Sequence, residues 1–191
     1  MVPRRNLRMK KRSTQEVASR AIVLNCVVAA SFDVSRKSLI QWLEKEGLWS
    51  SVSPWESDYL QAKRPRKKDN IEANQSAEAA ATLAWSLGLI PELPHASSPT
   101  DLELIVKVLP RIESPTASFV KNAKLRPDFE IKAFNNSIYE MHWSVRDAYL
   151  NGREPPDDLH PVVVYQRHRA ANWLYPEIVG DLPWDDVTTD T

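Results

Sequence analysis

Two groups of residues in this sequence have the types and spacing to do chemistry. The first is a helical column, Tyr139, His142, Trp143, Arg146 and Leu150. Steps of three and four place these side chains on one face of a helix. A titratable imidazole, two aromatic rings and a guanidinium on one face could line a small pocket for an anionic ligand. The same column also fits a half-buried histidine hydrogen-bonded beside core aromatics, because one histidine on a helix specifies no reaction. Both readings stay open at the level of sequence.

The second group consists of charges set within apolar stripes. Arg20 lies between Val17, Ala21 and Leu24, and Arg167 lies in the column Val163, Arg167, Ala170, Leu174. A buried charge needs a partner, and arginine pairs best with a carboxylate. Glu78, in a column with Thr82 and Trp85, is one candidate. Asp185, Asp186 and Asp190, near the C-terminus, are others. These six residues are expected to form a buried polar network. It either clasps the C-terminal tail onto the domain or opens toward a ligand.

Other chemistry finds little support. Cys26 stands among valines in mid-helix, where an apolar thiol is inert. Without a second cysteine it forms no internal disulfide, which points to a reducing, cytoplasmic home. His142 and His168 fall on separate helices, and Glu140 points away from His142, so no metal site is expected. No nucleophile elbow, phosphate loop or dinucleotide fingerprint appears, and no cofactor is expected.

The elements that must position these groups are helices. Ser13-Thr14-Gln15-Glu16, Ser53-Pro54-Trp55-Glu56 and Thr100-Asp101-Leu102-Glu103 have the capping-box pattern. Pro54 and Pro115 suit first helical positions. Gly47, Gly88 and Gly152 follow helix-like runs, where a left-handed residue is wanted. Helices are predicted over about 14–31, 35–46, 54–62, 72–87, 101–109, 115–123, 128–150 and 161–175. Val17, Ala21, Leu24 and Val28 form one stripe, and Phe134, Ile138, Met141, Val145 and Ala148 another. Residues 64–74 read as a mobile loop. The fold expected is all-α, a compact single-domain bundle of about eight helices over 13–191, with an ordered tail, 176–191, packed on it.

Bulk composition agrees. The 191 residues are 42% hydrophobic and 26% charged, ordinary for a globular chain. Net charge is zero, but eleven of the 25 lysines and arginines sit in residues 1–12 and 63–68. The body is therefore acidic, with two basic segments attached. These could bind phosphate backbones, yet they lack the interleaved aromatics of nucleic-acid grooves. They read as a disordered N-terminal arm and a solvated loop, and nucleic-acid binding is a weaker alternative. The longest early uncharged run, residues 21–32, is short of the ~20 needed to span a bilayer. Glu16 and Arg20 also interrupt any secretory leader pattern. No membrane association is expected.

Several pieces resemble a known family. They are Glu16-Val17-Ala18-Ser19-Arg20-Ala21 with Val23-Leu24, and Glu78-Ala79 with Leu83-Ala84-Trp85-Ser86-Leu87-Gly88. Tyr139 with His142-Trp143-Ser144-Val145-Arg146 follows, then Arg167-His168-Arg169-Ala170-Ala171-Asn172-Trp173-Leu174, and finally residues 184–191. In this order they resemble the bacterial domain of unknown function 4272 family over about residues 13–191. That resemblance implies a bacterial helical protein and carries no activity, cofactor or catalytic residue. One departure is Gln75-Ser76-Ala77, where the family pattern has a Trp-Arg pair. Arg20 or Arg167 is then the expected partner of Glu78. By analogy of class alone, the expected function is non-catalytic protein binding, for example neutralising a toxin or regulating a basic partner. A small-molecule enzyme or binder built around His142 is the alternative.

Overall fold

The computed structural model describes residues 12–156, 158–176 and 180–190. Among them are eight α-helices and no strand. They are α1 (Thr14–Ser31), α2 (Arg36–Lys45), α3 (Pro54–Gln61), α4 (Lys67–Ser86), α5 (Leu102–Val108), α6 (Ala117–Asn122), α7 (Asp128–Leu150) and α8 (Pro161–Leu174). Short 3-10 turns lie at Trp49–Ser51 and Trp184–Asp186. The compact all-α fold expected from the sequence is the one found.

The ends form where the cap chemistry dictates. Ser13 and Ser53 each accept from the amide three residues on, while Glu16 and Glu56 reach back to the cap amide. Gly47, Gly88 and Gly152 all have positive φ. Three expectations fail locally. The loop expected over 64–74 is mostly helix, because α4 starts at Lys67. Asp69 accepts from the Arg66 amide and guanidinium, supplying the missing cap. Lys67 and Lys68 then lie on an exposed first turn. Thr100 also does not cap α5. Asp101 accepts from the Glu103 amide instead, and Thr100 is drawn to Glu78. Likewise α6 begins at Ala117 and not at Pro115. The Thr116 amide and hydroxyl are both taken by Glu46, and these bonds hold the Glu46 carboxyl below its ordinary pKa.

Packing runs in the order α1, α4, α8, α7, each laid chiefly on the next. The reason lies in α4. Ala77, Ala79, Ala80, Ala81 and Ala84 are all buried, so both neighbours can approach closely. A helix apolar on all sides belongs inside. Its hydroxyls are answered by the helix itself, Thr82 donating to the Glu78 carbonyl and Ser86 to that of Leu83. Helix α1 is also buried on two faces. Val17, Ala21, Leu24 and Val28 face α4, α5 and α8, while Ile22, Val23, Cys26 and Val27 face Leu39, Trp42 and Leu43 of α2. Each valine, leucine or isoleucine among them contributes ~1.5–3 kcal/mol on burial. Burial pushes the Cys26 thiol far above its ordinary pKa, with the Glu56 charge adding to it.

Candidate functional site

The charges on apolar stripes form two separate ion pairs. Arg167 donates to Glu78 through Nε at 2.9 Å, to the Pro94 carbonyl through Nη1 at 2.6 Å and to the Thr100 hydroxyl through Nη2 at 3.1 Å. The Thr100 amide and hydroxyl both donate to Glu78. Arg167 and Glu78 are buried, and the cluster ties α8 to α4 and to the loop before α5.

Arg20 does not meet Glu78. Its guanidinium pairs with Glu56, and Nη1 donates to the Ser51 carbonyl at 2.8 Å. Helix α1 turns Arg20 toward α3 and the tail, while Glu78 faces α8. Glu56 thus closes the α3 capping box and neutralises Arg20 with one carboxylate. Its spacing in the sequence signals only the first of these roles. Trp184 caps this pair. Its indole lies between the guanidinium groups of Arg20 and Arg169, 4.9 and 4.8 Å from the ring centroid, and meets Trp173 edge-on.

The described tail is tied down by polar bonds. Asp185 accepts from the Trp55 amide at 2.9 Å and lies 3.9 Å from Arg169. Arg169 donates to the Trp184 carbonyl and Asn172 to that of Thr188. Arg12 donates to the Leu182 carbonyl and pairs with Asp181. Asp186 and Asp190 are exposed, and among the described residues neither answers Arg20 or Arg167. Both buried arginines already have carboxylates from α3 and α4, so the tail acids are not needed there. Of the basic arm expected over 1–12, all but Arg12 lies outside the described residues.

The α7 column is arranged differently. His142 is buried and its Nδ1 lies 2.9 Å from Nδ1 of His168 on α8. One ring must donate and the other accept, so the pair as built holds one proton between these atoms. Burial lowers the pKa of His142, with Arg146 adding to the effect. Burial and the facing His142 push His168 down to about 4, against a smaller opposing effect from Asn172. Both rings are neutral at physiological pH. Their pairing escapes sequence reasoning because nothing in the spacing of two helices reveals which turns will face each other.

His142 and Arg146 line a hollow of about 270 Å³ with Gln75, Tyr149 and Tyr165, and no carboxylate is among its lining residues. Tyr139 and Trp143 are not part of that wall. Tyr139 touches the His168 ring edge-on, and Tyr165 touches His142. Trp143 is 51% exposed, and Tyr139, Tyr149, Leu150 and Tyr165 are exposed with it. The column is therefore an outward aromatic face over a buried imidazole pair. Among the described residues no group of three histidine, cysteine or acidic side chains could hold a metal, and no helix is long and apolar enough to cross a membrane.

The family model for the domain of unknown function DUF4272 matches residues 4–187. No curated protein and no solved structure matches the chain.

Proposed function

The chain belongs to the DUF4272 family, and from that premise we propose that it is a non-catalytic binding protein whose protein partner docks on the α7–α8 face. The observation that carries this reading is the exposure of Tyr139, Trp143, Tyr149 and Tyr165 around Arg146. Tyrosine, tryptophan and arginine are the side chains that dominate binding energy at protein interfaces. Positions 139, 143, 146 and 150 follow steps of four, three and four along α7, so they form one ridge. Arg146 forms no ion pair among the described residues. The partner is therefore expected to present a carboxylate there, in contrast to the basic partner that the acidic body alone suggests.

A purified partner recovered from the native host tests this reading. Trp143→Ala and Arg146→Glu should each weaken its binding about thirtyfold, the loss of a ~2 kcal/mol hot spot. Lys121→Glu, on exposed α6 surface, should leave affinity unchanged. Equal affinity for all four proteins, or no specific complex, would sink the reading.

A further inference from the structure

A cavity of about 300 Å³ lies between α1 and α5, apart from the α7–α8 face and from both arginine–glutamate pairs. Helix α1 supplies Asn25, Val28 and Ala29, its C-cap residue Phe32 follows, helix α5 supplies Ile105 and Val106, and the turn after α5 closes it with Ile112. The spacing 25, 28, 29, 32 along α1 and its cap presents one continuous face to the space. Phe32 and Val106 remain more than half exposed at its mouth.

One polar side chain in this lining has no protein partner. Asn25 is only 8% exposed, yet its amide makes no hydrogen bond to any described residue. An amide offers two donors and a two-lone-pair acceptor, and the Asn25 amide atoms are not fully enclosed, so they are open to a ligand in the cavity. The backbone beside the cavity is also unusual. Asp33 and Glu113, adjoining the lining residues Phe32 and Ile112, are the only non-glycine residues with positive φ among those described, at 62° and 71°. Strain of this kind is stored preferentially where ligands are clamped.

We infer that this cavity binds a small, neutral, largely apolar molecule whose single hydrogen-bonding group pairs with Asn25. The volume admits about ten water-sized groups at ~30 Å³ each, so the ligand has about ten non-hydrogen atoms, the size of an N–H heterocycle such as indole or of a medium-chain alcohol. The walls supply no acid group to select a cation. Arg111 stands at the rim and is exposed, where a charge pair adds little. A charged head beside Asn25 would be desolvated without a counter-charge. A neutral polar head satisfies the amide without that penalty. This inference uses different elements from the proposed docking face and does not depend on it.

Two variants of the full chain test the site, with indole, 1-octanol and octanoate as probes in calorimetric titration and thermal melting. Indole or octanol should bind the unaltered protein and raise its melting temperature with concentration. Asn25→Leu should weaken that binding about tenfold by removing its hydrogen bond to the ligand. Ala29→Phe, which places a ring in the cavity, should abolish binding. Indole and octanol affinity unchanged in Asn25→Leu would overturn the role given to that amide. Binding that survives Ala29→Phe would place the ligand elsewhere. Octanoate preferred over octanol, with the preference lost in Arg111→Ala, would overturn the neutral headgroup. Absence of binding by all three probes would overturn the site.

Discussion

The two polar regions of this molecule answer opposite demands. Around Glu78 and Arg167, every strong donor and acceptor turns inward, and Thr100 fills the last position on each partner. Along α7, a buried imidazole pair carries an outward rim of aromatic rings and a guanidinium with no ion pair among the described residues. The sequence motifs look alike, since both are charged or titratable residues in helical columns with apolar neighbours. What separates them is whether a carboxylate from another element reaches the charge. Glu78 reaches Arg167 and Glu56 reaches Arg20, and both arginines become part of the scaffold. No acid reaches Arg146 among the described residues, and it stays available to something outside.

The sharpest way to break this contrast is to remove one partner of the closed cluster. Glu78→Ala leaves the Arg167 charge buried and unanswered, and should lower stability by about 3–5 kcal/mol in urea unfolding. A loss below about 1 kcal/mol would mean that water reaches the cluster and that it is open like the α7 face. Acid should come next in size. His168 has a folded pKa of about 4, below the ~6.5 of a free imidazole. The unfolded chain therefore binds more protons between these values, so this contribution is complete above pH 6.5 and fades as pH falls toward 4. It amounts to about 2–3 kcal/mol, and the His168→Gln protein should lack that part of the pH dependence. Identical pH–stability curves for the two proteins would remove the imidazole pair from the account.

A smaller effect should come from Thr100→Val, which deletes the hydroxyl shared by Glu78 and Arg167 but leaves the charges paired. A loss of about 1–3 kcal/mol is expected in the same unfolding measurement. The smallest should come from Trp143→Ala, within about 0.5 kcal/mol of the parent, as for other exposed positions. A large destabilisation there would show that the aromatic rim holds the fold together, and it would weaken the case for a docking face.

Much of this architecture was legible in the residues, for local reasons. Ser13, Ser53 and the positive-φ glycines mark helix ends through chemistry confined to one turn, so spacing alone finds them. The start of α4 was missed because Arg66 and Asp69 form a cap without a hydroxyl, a pattern resembling a charged loop. The need of Arg20 and Arg167 for carboxylates was readable from their columns, but the choice of partner was not. Glu56 had a sufficient local role at its cap and gave no sign of a second one. Asn25 gave no signal either. A polar residue in an apolar helix is usually answered by a neighbour, and only the folded arrangement reveals that this one is not.

Trp184 makes two distant helices answer to one ring. Its indole covers Arg20 of α1 and Arg169 of α8 and meets Trp173 edge-on. The stretch after α8 therefore cannot lift away without uncovering the Arg20–Glu56 pair and the edge of Trp173 together. A protease acting on that stretch would find it shielded while both helices stay in place, so its cleavage would report their parting.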